Sequence, residues 1–178
     1  MFRHSQTSEK RVKDDFYETP SEAILPILQL ETLKGTILEP CAGSGKIVKA
    51  TKEFYPRSKV LGLDIYPRGK GITKQDFFCY NKRVDNILTN PPYKQAQRFI
   101  EHSLRLANNK AVMLLQLGFL ESKGRYDLFK STPLKTVYVF SNRITCDAEN
   151  GTKRIAYAWF VWDHSYEGEP TIDWIKLR

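Results

Sequence analysis

The residues best suited to chemistry stand in a short loop, Thr89-Asn90-Pro91-Pro92-Tyr93, which follows an apolar segment. Two adjacent prolines fix the backbone and remove two N–H donors, so nearby carbonyl oxygens lack internal partners. The Asn90 side-chain oxygen and the Pro91 carbonyl oxygen could then accept both protons of a flat exocyclic amine. That would free the nitrogen lone pair to attack a sulfonium methyl group, with the ring of Tyr93 beside the target base and the cationic transition state. The alternative is a rigid proline turn that only ends a strand.

A second candidate site is the turn Glu39-Pro40-Cys41-Ala42-Gly43-Ser44-Gly45, between a predicted strand and a predicted helix. Turns at this place commonly bind nucleosides or phosphates, and glycines let the backbone approach a ligand. The turn lacks GxGxxG spacing, and Ile47 stands where a P-loop carries its hydroxyl. Glu39 would repel a pyrophosphate and attract an ammonium group. The turn therefore favours a cationic nucleoside, with a purely structural turn as the alternative.

Two acidic residues further along the chain extend this predicted nucleoside site. Asp64 ends a predicted strand, and its carboxylate could accept both hydroxyls of a ribose. Asp76 could accept from an adenine amine, with Phe77 beside it for the ring. Either acid alone would be an ordinary residue at a strand end, so the inference depends on their order and spacing.

Taken together, these motifs resemble the N-6 adenine-specific DNA methyltransferases, in particular the small phage- and prophage-type members. The shared elements are an aromatic loop with Thr-Pro at 16–20, the glycine turn, Asp64, Asp76-Phe77 and the Asn-Pro-Pro-Tyr loop, in that order. The stretch at 157–162 is also similar. The resemblance implies methyl transfer from S-adenosylmethionine to the 6-amino group of adenine in DNA, by direct displacement on a flipped base.

The resemblance also assigns roles to individual residues. It implies that the catalytic residues are Asn90, Pro91, Pro92 and Tyr93. It implies that the cofactor is held by Phe16, Tyr17, Thr19, Pro20, Glu39, Pro40, Cys41, Ala42, Gly43, Gly45, Asp64, Ile65, Asp76, Phe77 and Asn90. Cys41 is not a nucleophile on this interpretation.

The elements around the motifs alternate between short apolar strands and helices. We expect strands at 36–40, 59–64, 84–89, 111–117, 136–140 and 155–162, and helices after Thr19-Pro20 and at 46–55, 95–106 and 126–130. Alternation of this kind indicates an α/β sandwich. Together with the resemblance, it predicts a Rossmann-like class I methyltransferase fold, with a mostly parallel seven-stranded sheet whose last strand is antiparallel.

The length of 178 residues suits one compact domain. Residues 1–13 lack periodicity and hold four basic residues, which indicates a mobile basic arm. Residues 14–178 are expected to form a single catalytic domain. Many relatives carry a separate target-recognition region, for which we expect no space here.

The charge balance points to a polyanionic partner. The formal net charge is +8, and the pI is near 9.4. Such an excess favours nucleic acid, with DNA preferred to RNA because of the resemblance. A second copy of the chain or an accessory specificity subunit is a candidate protein partner. Phosphate contacts are predicted for Lys123, Arg125, Arg143, Lys153 and Arg154, with solvated basic loops as the alternative.

Composition excludes several other classes of protein. No apolar run approaches the roughly 20 residues of a membrane span. Cys41, Cys79 and Cys146 are spaced for neither a disulfide framework nor zinc, so we expect free thiols, no metal site and a reducing cytoplasm, in a bacterial or phage-infected cell. Trp159, Phe160 and Trp162 are expected to be mostly core, with one aromatic able to hold a base against Tyr93.

Two other functions stay open on the sequence alone. The same chemistry could act on an adenine or guanine amine of RNA or on a protein glutamine, although the positive charge argues against a protein substrate. A non-catalytic subunit that binds cofactor or nucleic acid is the second alternative. Intact Gly43, Gly45, Asp64 and Asn90 weigh against it, since a degenerate site tends to lose such groups.

Overall fold

The computed structural model of the protein describes residues 18–144 and 155–177. The predicted basic arm at 1–13, the residues Phe16 and Tyr17, and the basic pair Lys153 and Arg154 lie outside the described residues. Cys146 also lies outside them.

Eight strands form one sheet in the order β3-β2-β1-β4-β5-β7-β6-β8. The strands are β1 (Thr36–Glu39), β2 (Lys59–Asp64), β3 (Thr73–Lys74), β4 (Val84–Thr89), β5 (Ala107–Gln116), β6 (Leu134–Phe140), β7 (Tyr157–Asp163) and β8 (Thr171–Ile175). The helices are α1 (Ser21–Leu30), α2 (Lys46–Phe54), α3 (Ala96–Leu106) and α4 (Tyr126–Ser131). Pro26 lies inside α1 without ending it.

The predicted α/β sandwich with a mostly parallel sheet is confirmed. Strand β7 runs antiparallel to both of its neighbours, β5 and β6, whereas the other pairings in the described sheet are parallel. The sheet has eight strands where seven were expected, and β3 and β8, at its two edges, were not located from the sequence. The antiparallel strand is therefore followed by a further strand along the chain.

Apolar side chains on the two faces of the sheet build two separate cores. One core includes buried residues of α1 and α2, and the other includes those of α3 and α4. Alternate residues of β7 enter opposite cores, Trp159 into the first and Phe160 and Trp162 into the second. All three are fully buried, which confirms their predicted place in the core. The indole N–H of Trp159 donates to the Ala23 carbonyl at 2.9 Å.

The sheet brings the candidate residues to its carboxyl edge. Strand β1 lies between β2 and β4, and the chain changes direction across the sheet at this point. Ligands of open α/β sheets bind in the crevice at such a switch point. Glu39, Asp64 and Thr89 end these three strands, so the glycine turn and the proline loop both begin here. Within the described residues, no helix is long and apolar enough to span a membrane.

Candidate functional site

A cavity of about 710 Å³ opens at the switch point and joins the glycine turn to the proline loop. Its volume lies within the range of small-molecule sites in proteins. The predicted site residues that line it are Thr19, Pro40, Cys41, Ala42, Gly43, Asp64, Ile65, Asp76, Phe77, Asn90, Pro91 and Pro92. The two motifs, separated by more than 40 positions in the sequence, thus share one cavity.

Four predicted catalytic or cofactor-binding residues of the described chain lie outside the lining of this cavity: Pro20, Glu39, Gly45 and Tyr93. The lining also includes residues that the sequence did not single out: Glu18, Ser44, Lys46, Ile47, Tyr66, Arg68, Phe78, Gln95, Arg98 and Phe99. Several of these follow a predicted residue directly in the chain, which is the signal that could have identified them.

The glycine turn is held in a left-handed backbone conformation. Gly43 has φ 50° and Gly45 has φ 88°, a region that glycine adopts at little cost. Gly45 is the residue that precedes α2, so the turn leads directly into that helix. The Ala42 N–H donates to the Leu63 carbonyl of β2 at 2.8 Å. The turn is thereby fixed to the neighbouring strand.

Asp64 is fixed on the cavity wall by two backbone groups. Its Oδ2 accepts from the Gly43 N–H at 2.7 Å, and its Oδ1 accepts from the Tyr66 N–H at 2.7 Å. Each carboxylate oxygen can accept more than one hydrogen bond. The carboxylate is therefore oriented by the protein and keeps acceptor capacity for a ligand hydroxyl.

The segment after Asp64 closes over the glycine turn. The N–H groups of Arg68 and Gly69 both donate to the Gly43 carbonyl, at 2.9 and 3.0 Å. A Cβ at Gly69 would lie 2.3 Å from the Ser44 carbonyl oxygen, so this close backbone contact requires glycine. Sequence reasoning missed this contact, although the glycines in Arg68-Gly69-Lys70-Gly71 were a usable signal.

Glu39, a predicted cofactor residue, lies outside the cavity lining and hydrogen-bonds to both loops. The side chain is only 1% exposed, and its Oε1 accepts from the Thr89 hydroxyl at 2.6 Å and from the Cys41 N–H at 2.9 Å. Its Oε2 has no hydrogen-bond partner among the described residues. Burial raises the pKa of Glu39 to about 8, against the hydrogen bonds from Thr89 and Cys41. The Glu39 carboxyl therefore joins the two loops, and its raised pKa favours the protonated form near neutral pH.

Glu39→Gln is expected to flatten the dependence of folding stability on pH between about 5 and 8. The folded state binds the Glu39 proton more tightly than the unfolded state, whose pKa is near 4.5, so wild-type stability falls as pH rises through this window. Glutamine keeps an oxygen acceptor for Thr89 and does not titrate. Urea unfolding at several pH values measures the difference, and equal slopes in the two proteins would contradict the raised pKa.

Asp76 and several residues around it also line the cavity. The Asp76 Oδ1 accepts from the Phe78 N–H at 2.9 Å. Phe77 is only 1% exposed and packs on Phe99 with ring centroids 5.2 Å apart, so most of its ring belongs to the core. The Arg98 guanidinium lies 4.1 Å from the centre of the half-buried Phe78 ring. The more exposed aromatic surface is thus that of Phe78, beside the predicted Phe77.

The Asn90 side chain is hydrogen-bonded at both ends. Its Nδ2 donates to the Thr19 hydroxyl at 3.1 Å, and its Oδ1 accepts from the Tyr93 hydroxyl at 3.0 Å. The Tyr93 ring lies against Tyr157, with centroids 5.6 Å apart and planes at 41°. Tyr157 begins the antiparallel strand β7 and therefore lies at the same sheet edge. Tyr157 is thus an aromatic neighbour of Tyr93, whereas Trp159, Phe160 and Trp162, one of which was predicted to hold a base against Tyr93, are fully buried.

Cys41 is unsuited to nucleophilic chemistry in this environment. Desolvation by burial, together with the nearby carboxyl groups of Glu39 and Asp64, raises the pKa of the Cys41 thiol well above its ordinary value. A thiolate is the reactive form of cysteine. Cys41 therefore stays protonated, in agreement with its predicted lack of a nucleophilic role.

Two basic loops follow strands on the same edge of the sheet. Arg125 is engaged internally: its Nε donates to the Phe119 carbonyl, and one terminal nitrogen donates to the Glu121 carbonyl, at 2.8 and 2.9 Å. Its guanidinium also lies 4.3 Å from the Phe119 ring centre. Lys123 and Arg143 are exposed. Arg125 is therefore suited to order its loop, and the exposed Lys123 is accessible to an external group.

No protein-family model matches the chain. Two curated relatives align with parts of it. An uncharacterized protein of Mycoplasma pneumoniae is 28% identical over 120 residues, which span 54% of this chain and 26% of that protein. The type II methyltransferase M.CvrRI of Paramecium bursaria Chlorella virus XZ-6E is 29% identical over 68 residues, which span 32% of this chain and 18% of that enzyme. The chain thus spans about a quarter or less of these relatives.

Three solved structures resemble most of the chain. The methyltransferase subunit of a type I restriction-modification system from Streptococcus thermophilus matches 90% of this chain and 47% of its own, with a TM-score of 0.67 and 14% identity. A proposed class I S-adenosylmethionine-dependent methyltransferase from Listeria monocytogenes matches 94% of this chain and 68% of its own, with a TM-score of 0.66 and 11% identity. A proposed RNA methyltransferase from Pyrococcus horikoshii matches 86% of this chain and 90% of its own, with a TM-score of 0.66 and 15% identity. The chain therefore has the fold of the class I S-adenosylmethionine-dependent methyltransferases.

Proposed function

We propose that the protein transfers a methyl group from S-adenosylmethionine to the 6-amino group of adenine in DNA. The observation that carries this proposal is the single cavity that joins the turn at Gly43 to the loop at Asn90 and Pro91. A methyl donor and a target amine must meet in one space, and these two motifs are suited to hold one each. The fold of the chain is compatible with the same reaction.

The residues of the cavity fit this cofactor. The oriented carboxylate of Asp64 suits the two ribose hydroxyls, and the carboxylate of Asp76 suits an adenine amine. Phe78 supplies an aromatic surface near Asp76. The turn at Gly43 has neither the sequence nor the spacing of a phosphate cradle. When bound, S-adenosylmethionine supplies an electrophilic methyl group.

In this proposal the protein acts by orienting the target amine. Asn90 Oδ1 and the Pro91 carbonyl accept its two protons, which releases the nitrogen lone pair from the ring. Pro92 keeps the loop rigid, and the Tyr93 ring offers a face to a base turned out of its helix. No covalent intermediate with the protein is needed, which agrees with the protonated Cys41 thiol.

Charge and the comparisons support a nucleic acid as the substrate. The net charge of +8 favours a polyanion over a protein substrate. DNA is preferred because two of the similar proteins are a type II methyltransferase and a type I restriction-modification subunit. The similarity to a proposed RNA methyltransferase makes RNA the second candidate. An accessory specificity subunit is a further proposed partner, since that similar protein is itself one subunit of a restriction-modification system.

Incubation with methyl-labelled cofactor and DNA, RNA or a glutamine peptide, followed by digestion, tests the proposal. We expect label in 6-methyldeoxyadenosine. A DNA of the same sequence with inosine in place of deoxyadenosine lacks the target amine and is expected to stay unlabelled. Label on ribonucleosides would select the RNA alternative, and label on guanine or glutamine would contradict the adenine assignment.

Asp64→Asn is expected to weaken S-adenosylmethionine binding by about 1–3 kcal/mol, because a charged acceptor is lost. Titration calorimetry measures the change. Asp127→Asn is the matched control, since Asp127 is an exposed acid in α4 outside the cavity lining, and it should bind as the wild type does. Unchanged affinity in Asp64→Asn would show that the ribose assignment is wrong.

A further inference from the structure

Two consecutive residues, Glu18 and Thr19, contact both halves of the cavity; we call this pair the clasp. Glu18 Oε1 accepts from the Ser44 hydroxyl at 2.5 Å, and its Oε2 forms an ion pair with Lys46 at 2.6 Å. Thr19 Oγ1 accepts from Asn90 Nδ2 at 3.1 Å. The clasp therefore connects the glycine turn directly to the Asn-Pro-Pro-Tyr loop. Both of its residues also line the cavity.

The contact with Thr19 holds the Asn90 side chain by the donor end of its amide. A primary amide has one acceptor end and one donor end of similar size, and rotation by half a turn exchanges them. Here Nδ2 faces Thr19, and Oδ1 faces the side of Tyr93. Methyl transfer to an amine needs the acceptor end at the substrate, because the donor end would oppose the protons of the amine.

The surroundings of Thr19 fit a fixed structural partner. Thr19 is only 4% exposed, so water competes weakly for its hydroxyl. Its neighbour Glu18 is held by two contacts, to Ser44 in the glycine turn and to Lys46 at the start of α2. The proline that follows, Pro20, has φ −68° and restricts the backbone just before α1. The hydroxyl is thus held in place from both directions along the chain.

We infer that Thr19 is a positioning residue that sets the orientation of the Asn90 amide for catalysis. The inference rests on the proposed function and differs from the cofactor-binding role that the family resemblance implies for Thr19. The two roles predict different kinetics. A cofactor ligand would change the KM and Kd for S-adenosylmethionine, whereas a positioning residue would change kcat.

The kinetic test compares Thr19→Val, which removes the hydroxyl at nearly equal size, with Thr19→Ser, which retains it. With labelled S-adenosylmethionine and unmethylated DNA of mixed sequence, Thr19→Val is expected to lower kcat by about tenfold to a hundredfold, as a misplaced catalytic group does. The Kd for the cofactor should change by less than about twofold, and Thr19→Ser should restore most of kcat. A Kd effect with unchanged kcat would overturn the inference.

A second measurement is independent of any substrate. The side-chain amide signals of Asn90 in a ¹H–¹⁵N spectrum are assigned by their disappearance in Asn90→Asp. We expect the chemical shifts of these signals to change in Thr19→Val and to stay at their wild-type values in Thr19→Ser. Unchanged signals in a folded Thr19→Val protein would overturn the inference. An inactive wild-type protein that still shows the hydroxyl-dependent signals would refute the proposed function and support the contact.

Discussion

Asn90→Ala is expected to lower kcat for DNA methylation by about 10²- to 10³-fold, because it removes an acceptor aimed at the reacting amine. The affinity for S-adenosylmethionine should stay within about threefold, since the interaction is made in the transition state. Asn90 lies in the loop after β4, and its side chain contributes hydrogen bonds to Thr19 and Tyr93. Single-turnover kinetics and calorimetry measure the two quantities separately.

The matched control for Asn90→Ala is Asn109→Ala. Asn109 is an exposed asparagine near the start of β5, at the edge of the sheet opposite to the cavity. Its variant should keep the wild-type kcat and cofactor affinity. Wild-type kcat in Asn90→Ala would remove Asn90 from the mechanism. A large loss of cofactor affinity there would instead indicate that Asn90 serves mainly to bind the cofactor.

The fold could be predicted because its central strands are buried on both faces. The apolar segments at β4 and β5 are bounded by polar turns, and their parallel pairing requires helices between them. Strands β3 and β8 were missed for a common reason. Strand β3 has two residues, both exposed, and four of the five residues of β8 are exposed. Edge strands of this kind give little apolar pattern.

The location of the candidate site was predictable because parallel strands end at one edge. Asp64 and Asn90 come directly at or after such strand ends, so their proximity follows from topology. The direction in which each side chain points could not be predicted from the topology. Glu39 also ends a strand, yet its carboxyl turns into the protein toward Thr89. The choice of Tyr157 as neighbour of Tyr93 depends on the register of β7, which the sequence does not show.

A buried ionic cluster at the opposite edge of the sheet was not predictable from the sequence. Glu31 follows α1, is 1% exposed, and lies 2.6 Å from Lys110 and 3.1 Å from Lys135. It also accepts from the Tyr138 hydroxyl at 2.9 Å, and Asp163 lies near both lysines at 3.5 and 3.9 Å. The cluster therefore joins α1 to strands β5, β6 and β7.

Glu31→Ala is expected to lower the free energy of unfolding by about 3 kcal/mol, the lower end of the range for removing one partner of a buried ion pair, because Asp163 still lies near both lysines. Both Lys110 and Lys135 lose their nearest carboxylate in this variant. Urea unfolding followed by circular dichroism measures the loss. The contacts lie at the edge of the sheet opposite to the cavity, so cofactor affinity of the folded variant should be unchanged.

The exposed pair Lys49–Glu53 provides the control, because its atoms are 4.0 Å apart and both side chains are largely exposed. Glu53→Ala should lower the free energy of unfolding by less than about 1 kcal/mol.

The effect of Glu31 on stability should also depend on pH. Burial alone would raise the pKa of Glu31, but Lys110, Lys135 and Tyr138 together hold it below 4.5. The stability from Glu31 is then complete above pH 4.5 and is lost as pH falls through the lower pKa of the folded state. The difference in the free energy of unfolding between Glu31→Gln and the wild type should become smaller as the pH is lowered. A difference that does not depend on pH would show that the carboxylate charge is not what stabilises the cluster.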